Sequence, residues 1–211
     1  MEAEPMLDAH RIRTEEELRE VIAAPSPVLE QKVFDRIDRY ARRFIEQASL
    51  VFVATVGPDG DLDVSPKGDG SGFVAVEDER TLLLPERPGN RLAYGFHNIL
   101  ARPKVGLIFV VPGVSETLRV NGGAELTRDP AILDRLSARS RPAILATRVR
   151  VEESFFHCGK AFIRSSAWKP ETWPKGFKAG IGRQFAEKAG AGDELAERIE
   201  ADLQRDYRER L

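Results

Sequence analysis

The chain has 211 residues, 42% of them hydrophobic, which can enclose one substantial core with helical additions and argues for a single domain. Lys and Arg total 32 against 34 Asp and Glu, a formal charge of −2, so the long-range pull expected toward a nucleic-acid backbone is missing. The lone Cys158 excludes an internal disulfide, residues 1–8 are acidic without an apolar h-region, and no apolar run approaches the length of a membrane span; a soluble, cytoplasmic protein is expected.

Thr14 and Glu17 have capping-box spacing, which predicts a short helix from Thr14 to Ala24 closed by Pro25. Ser26-Pro27 starts a second helix. Val33, Phe34, Ile37, Tyr40, Ala41, Phe44, Ile45 and Ala48 recur at three and four residues, so one apolar stripe is expected from Val28 to Ser49, packed on the outside of a barrel. From Leu50 the period becomes that of strands. Leu50 to Val56, the turn Gly57-Pro58-Asp59-Gly60 and Asp61 to Pro66 give one hairpin; Gly72 to Val76 and Thr81 to Leu84, turning around Glu77-Asp78-Glu79, give another. Asn90 to Leu100 reads as a helix ended before Pro103, with His97 packed among Leu92, Phe96 and Leu100. Lys104 to Val111 and Glu116 to Leu126 are strands joined through Pro112-Gly113, and Gly122-Gly123 suggests a bulge.

Asp129-Pro130 caps a helix to about Ala138, and Ala143 to Val151 is a seventh strand. Ser154 is expected to cap a helix carrying His157, Lys160 and Arg164, the last two one turn apart on one face. An aromatic-rich loop around Trp168 and Trp173 comes next, then helices from Gly182 to Ala189 and from Asp193 to Leu211. Residues 1–49 thus form N-terminal helices, 50–153 an antiparallel barrel of six or seven strands, and 154–211 the helices and loop that complete the same α+β domain.

The chemistry concentrates between Asp63 and Arg91. On an extended strand Asp63, Ser65 and Lys67 share one face and Leu62, Val64 and Pro66 the other, which sets a hydroxyl beside a cation. Arg87, Gly89, Asn90 and Arg91 come after a wholly apolar strand and open a helical segment, where free N–H groups favour an anion. Two donor-rich patches on one small barrel suggest a phosphorylated ligand. Each has a plainer reading: Ser65 and Lys67 as the solvated face of an edge hairpin, Arg87 as a loop charge paired with Glu86. Gly68-Asp69-Gly70-Ser71-Gly72 leads into strand rather than helix and reads as a flexible turn, not a dinucleotide loop. His157-Cys158 lacks any metal-ligand spacing, and Cys158 reads as a small buried residue.

Five segments in this order, D-V-S-P-K-G-D-G-S-G-F at 63–73, T-L-L-L-P-E-R-P-G-N-R at 81–91, V-G-L-I-F-V-V-P-G at 105–113, E-T-L-R-V-N-G at 116–122 and F-F-H-C-G-K-A-F-I-R-S at 155–165, resemble the pyridoxamine-phosphate-oxidase-like flavoproteins. Within them the chain is most similar to a subgroup described only as FMN-binding oxidoreductase-like proteins, over about Phe34 to Trp173. The resemblance implies a split β-barrel that binds flavin mononucleotide (FMN) between the subunits of a homodimer. It implies that Ser65 and Lys67 lie along the cofactor and that Arg87, Asn90 and Arg91 hold its phosphate. Thr117 and Arg119 would approach from the same or the partner subunit, and Lys160, Arg164 and Trp168 from across the interface. The activity implied is FMN-dependent oxidation or reduction, with a small organic substrate or reduced nicotinamide approaching the flavin; a flavin-storage protein, or a split barrel holding heme or a deazaflavin, are the alternatives. True pyridoxamine-phosphate oxidases begin the matching strand with Arg and carry a C-terminal Arg-x-His signature. Here the strand reads Asp-Val-Ser-Pro-Lys and the signature is missing, which points away from vitamin B6 oxidation.

Overall fold

Alternation of inward apolar and outward side chains curls seven antiparallel strands around a main core. In the computed structural model, which describes residues 10–209, they are β1 (Leu50–Val56), β2 (Leu62–Gly68), β3 (Ala75–Val76), β4 (Thr81–Glu86), β5 (Lys104–Val110), β6 (Thr117–Thr127) and β7 (Leu145–His157). Their order across the sheet is β2-β1-β5-β6-β7-β4-β3. No ladder joins the edge strands β2 and β3, so the sheet is an open, α+β split barrel. Inner-face residues Val51, Leu107, Phe109, Leu118, Val120 and Val149 form the main core, and a smaller cluster of Leu83, Ala146, Ile132 and Leu136 backs β4 and β7.

Helix α1 (Glu15–Val21) starts on the expected capping box, Thr14 Oγ1 accepting from the Glu17 N–H. The single helix expected over 28–49 is instead two, α2 (Pro27–Glu30) and α3 (Arg39–Gln47). Two local bonds break it. Phe34 exchanges both backbone hydrogen bonds with Ser154 of β7, and Asp38 caps α3 by accepting from the N–H groups of Tyr40 and Ala41. Only the part of the stripe from Ile37 onward is buried: Ile37, Ala41, Ile45 and Ala48 enter the main core rather than coat its outside, while Val33 and Phe34 stay exposed.

Ser154 is not a helix cap. It is buried within β7, where its hydroxyl donates to the Arg36 carbonyl at 2.6 Å. That bond fastens the segment before α3 to the sheet, and β7 runs on through His157, leaving Lys160 and Arg164 on a short α6 (Lys160–Arg164). Helix α4 (Tyr94–Ala101) packs on β1, β2 and β6, and α5 (Pro130–Arg135) is capped by Asp129 as expected. Helices α7 (Ile181–Lys188) and α8 (Asp193–Glu209) form a hairpin that packs chiefly on itself. Residues 1–8 and the expected end of the last helix at 210–211 lie outside the described residues.

The bulge expected at Gly122-Gly123 falls between Asn121 and Gly122, where the β6–β7 register shifts. A Cβ at Gly122 would stand 2.1 Å from the Arg150 carbonyl oxygen, whereas one at Gly123 would meet nothing nearer than 3.7 Å. Gly122→Ala should therefore lower stability by about 2–3 kcal/mol and Gly123→Ala by less than about 1. Urea titration of both variants checks this, and equal losses would show that the close approach at Gly122 is not the constraint.

Candidate functional site

Strand β2 carries the usual alternation turned inside out. Leu62 and Val64 face solvent, 77% and 61% exposed, while Asp63, Ser65 and Lys67 face inward beside Thr55, Val53 and Val51 of β1. The polar face of an edge hairpin is thus not solvated but lines an interior cleft of about 1150 Å³ at the barrel opening. The opposite wall is the chain leaving β4. Ser65, Lys67, Arg87, Asn90 and Arg91 all line this one cleft, with Val53, Phe73, Phe96, Ile99 and Ile144 supplying apolar wall.

The segment between β4 and α4 is tightly wound. Asn90 Oδ1 accepts from the Leu92 N–H at 3.0 Å, and Arg91 and Ala93 hold left-handed φ values of 66° and 58°. Such conformations cost about 1–3 kcal/mol each in non-glycine residues. They also delay the helix: α4 begins at Tyr94, not Asn90, and its cap residue Ala93 has no side-chain acceptor. The expected anion seat at the helix start is met by an acid instead, since a Cβ at Gly95 would lie 3.3 Å from Asp63 Oδ2. Donors for an anion come from the loop and from β2.

Two ion pairs cross the opening where no backbone ladder runs. Lys67 Nζ meets Glu86 Oε2 at 2.6 Å and stands 5.0 Å from the Phe96 ring centroid. Arg87 Nε donates to Asp69 Oδ2 at 2.8 Å and Nη2 to the Leu136 carbonyl at 2.9 Å, leaving Nη1 buried without an acceptor among the described residues. The plainer reading of Arg87 as a partner of Glu86 gives way to these cross-links, because consecutive residues leaving a strand project to opposite sides. All four side chains are largely shielded, at 26%, 19%, 27% and 11% exposed for Lys67, Glu86, Arg87 and Asp69, so water screens them weakly. Arg91 forms no ion pair and Ser65 Oγ no hydrogen bond among the described residues.

The other candidates lie elsewhere in their own chain. Thr117 is buried in β6, and Arg119 donates to Asn121 Oδ1 on the outer face of the sheet, its guanidinium 5.5 Å from the Phe155 ring. Lys160 and Arg164 are exposed on α6. Trp168 stacks on Phe162 and donates Nε1 to the Val114 carbonyl at 2.9 Å. None of these five lines the cleft. His97, expected to be packed, is exposed, because Phe96 and Ile99 take the inward face of the shortened α4; Cys158, expected to be buried, is exposed just past the end of β7. Sequence reasoning named Glu86 only beside Arg87 and missed its pairing with Lys67, and it missed the buried Thr55, whose Oγ1 accepts from Asn98 Nδ2 at 3.0 Å beside Asp63. Asp63 was within reach, since strand periodicity alone aligns it with Ser65 and Lys67.

An open antiparallel barrel with a donor-lined cleft in its split defines the class. Residues 37–158 match the family model for pyridoxamine 5'-phosphate oxidase, and the chain belongs to that family. Among solved structures it is similar to HupZ of Group A Streptococcus, with 22% identity over 57% of this chain and 93% of that one and a TM-score of 0.47. A Lactobacillus delbrueckii protein described as a candidate pyridoxamine 5'-phosphate oxidase shares 25% identity over 58% of this chain and 95% of its own, with a TM-score of 0.45. An FMN-binding protein from Syntrophomonas wolfei shares 12% identity over 68% and 96%, with a TM-score of 0.41. No curated protein matches the chain.

The Asp69 carboxyl reports on the cross-links. Burial pushes its pKa up, but the Gly70 N–H and the Arg87 guanidinium outweigh that and hold it below the ordinary value. A carboxyl with a depressed folded pKa contributes stability that is complete above its unfolded value of about 3.9 and is lost as pH falls toward the folded value. Asp69→Asn should destabilise the protein at neutral pH and shrink the further loss seen between about pH 5 and pH 2. Denaturant midpoints measured across that range decide it; an unchanged acid limb would mean that Asp69 contributes nothing.

Proposed function

We propose that the protein is an FMN-binding flavoprotein, an oxidoreductase acting on a small molecule, with the cofactor held at a homodimer interface. The observation that carries this reading is the meeting of Ser65 and Lys67 from β2 with Asn90 and Arg91 from the β4–α4 loop across one cleft. FMN asks for two kinds of surface, charge-assisted donors for a nearly dianionic phosphate and an apolar slot for a flat ring. The cleft offers both. Among the described residues Arg91 is a cation without a carboxylate partner and the Ser65 hydroxyl is unpartnered, and Val53, Phe73, Phe96 and Ile144 give apolar wall. When bound, FMN would supply the hydride and electron transfer, and the chain's residues would bind and orient it and tune its charge.

The outer face of the sheet supports the dimer. Leu62 and Val64 are exposed, Phe52 is 38% exposed, and Pro66, Phe52, Ile108 and Arg119 form one row across β2, β1, β5 and β6. An apolar edge of this kind is ordinarily covered in a soluble protein. In this reading Thr117, Arg119, Lys160, Arg164 and Trp168 complete the site from the partner subunit, since none reaches the cleft of its own chain. No described helix is long and apolar enough to cross a membrane, and an exposed, unpaired Cys158 suits the reducing cytoplasm.

Purified protein should be yellow or should quench the fluorescence of added FMN; colourless protein that fails to do so overturns the reading. Rapid bleaching on stopped-flow mixing with NADH or NADPH separates an enzyme from a storage protein, and the absorption spectrum separates FMN from heme or a deazaflavin. Arg91→Ala should weaken FMN more than riboflavin by about 1.5–3 kcal/mol, as expected of a shielded, charge-assisted bond; equal losses would place Arg91 away from the phosphate. Val64→Asp should turn the dimer into a monomer by light scattering, and an unaffected dimer would move the interface off this face.

A further inference from the structure

The charges of the cleft cancel almost completely. Lys67 and Arg87 are each matched by a carboxylate, Glu86 and Asp69, and Asp63 stands at the start of α4. Of the cations lining the cleft, Arg91 alone carries positive charge without an ion-pair partner among the described residues. A dianionic phosphate gains most from a cation that gives up no partner to meet it, so it belongs with Arg91 and the loop. The uncharged ring of an oxidised flavin belongs beside the neutral Lys67–Glu86 pair, where Phe96 lies under the Lys67 ammonium at 5.0 Å.

We propose that Glu86 is a specificity-determining residue of this cleft: by holding Lys67 as a neutral pair it makes the ring end of the site favour a cofactor ring without charge over one carrying negative charge. The proposal rests on the FMN reading and goes beyond it by assigning Glu86 control over the oxidation state that the site prefers. A flavin ring gains negative charge at its pyrimidine edge on reduction, and a cation nearby stabilises that form. Here the cation is present but matched. Glu86 keeps the reduced form from being held more tightly than the oxidised one, and the bound cofactor therefore remains a ready electron donor.

Spectroscopic reduction of the FMN-loaded protein against a reference dye, together with FMN and riboflavin titrations, tests this. Glu86→Gln removes the negative charge and keeps the shape. It should raise the affinity for reduced over oxidised FMN about tenfold, a positive shift of about 30 mV for a two-electron couple, while the FMN to riboflavin affinity ratio changes less than about threefold. The double variant Lys67→Met with Glu86→Gln restores neutrality and should return the potential to that of the unaltered protein. Arg91→Ala should do the reverse, lowering the FMN to riboflavin ratio and leaving the potential in place. An unmoved potential in Glu86→Gln, or a shift that persists in the double variant, overturns the proposal, as does a large rise in the FMN to riboflavin ratio, which would put Lys67 on the phosphate. Failure of the unaltered protein to bind FMN would instead sink the cofactor reading itself.

Discussion

The opening of the barrel is held by charge where it is not held by backbone. Past the two-residue β3, the edge of β4 has no strand beside it among the described residues, and the gap to β2 is spanned by Lys67–Glu86 and Asp69–Arg87. A continuous ladder there would close the sheet and erase the cleft. Side-chain pairs tie the two edges together at points and leave room between them. The cost is that four charged groups are taken largely out of water, which is tolerable only because each finds an opposite charge, and Arg87 also a carbonyl, at bonding distance.

This arrangement explains why the strand pattern of β2 is inverted. An edge strand in a monomer ordinarily turns its polar side to water. Here Asp63, Ser65 and Lys67 are needed inside to shape the cleft and anchor its far wall, so period-two alternation forces Leu62, Val64 and Pro66 outward. The polar cleft and the apolar outer face are consequences of one another. A chain that builds the first creates the second, which links whatever binds in the split to whatever covers the sheet.

Much of this was legible in the sequence and the reasons for the exceptions are physical. Most strands, the first hairpin, the capping box at Thr14 and the bulge near Gly122 arise from short-range signals that the structure realises nearly where they stand, whereas the strand expected over 72–76 shrinks to Ala75–Val76 and β7 runs six residues past Val151. The pairing of distant segments does not. Phe34 and Ser154 are joined by backbone bonds across the molecule, and neither residue type advertises this; the same contact erased the expected long helix and the expected Ser154 cap. The late start of α4 was hidden because left-handed Arg91 and Ala93 break the usual preference for glycine. Within the site, periodicity showed which residues share a face but not that Lys67 and Arg87 already have partners, since Glu86 and Asp69 reach them across the gap.

The α7–α8 hairpin is built on different terms from the sheet. Gly182 lets the two helices approach so closely that a Cβ there would stand 2.3 Å from the Ala196 carbonyl oxygen, and the buried Ala186 and Ala196 join neither of the two core clusters. Its cohesion is therefore largely private. A unit of this kind opens with its own free energy, below that of the sheet, so amide exchange would register it as a separate cooperative element. Substitutions between these two helices therefore fall on the hairpin's own contacts rather than on the packing of the barrel.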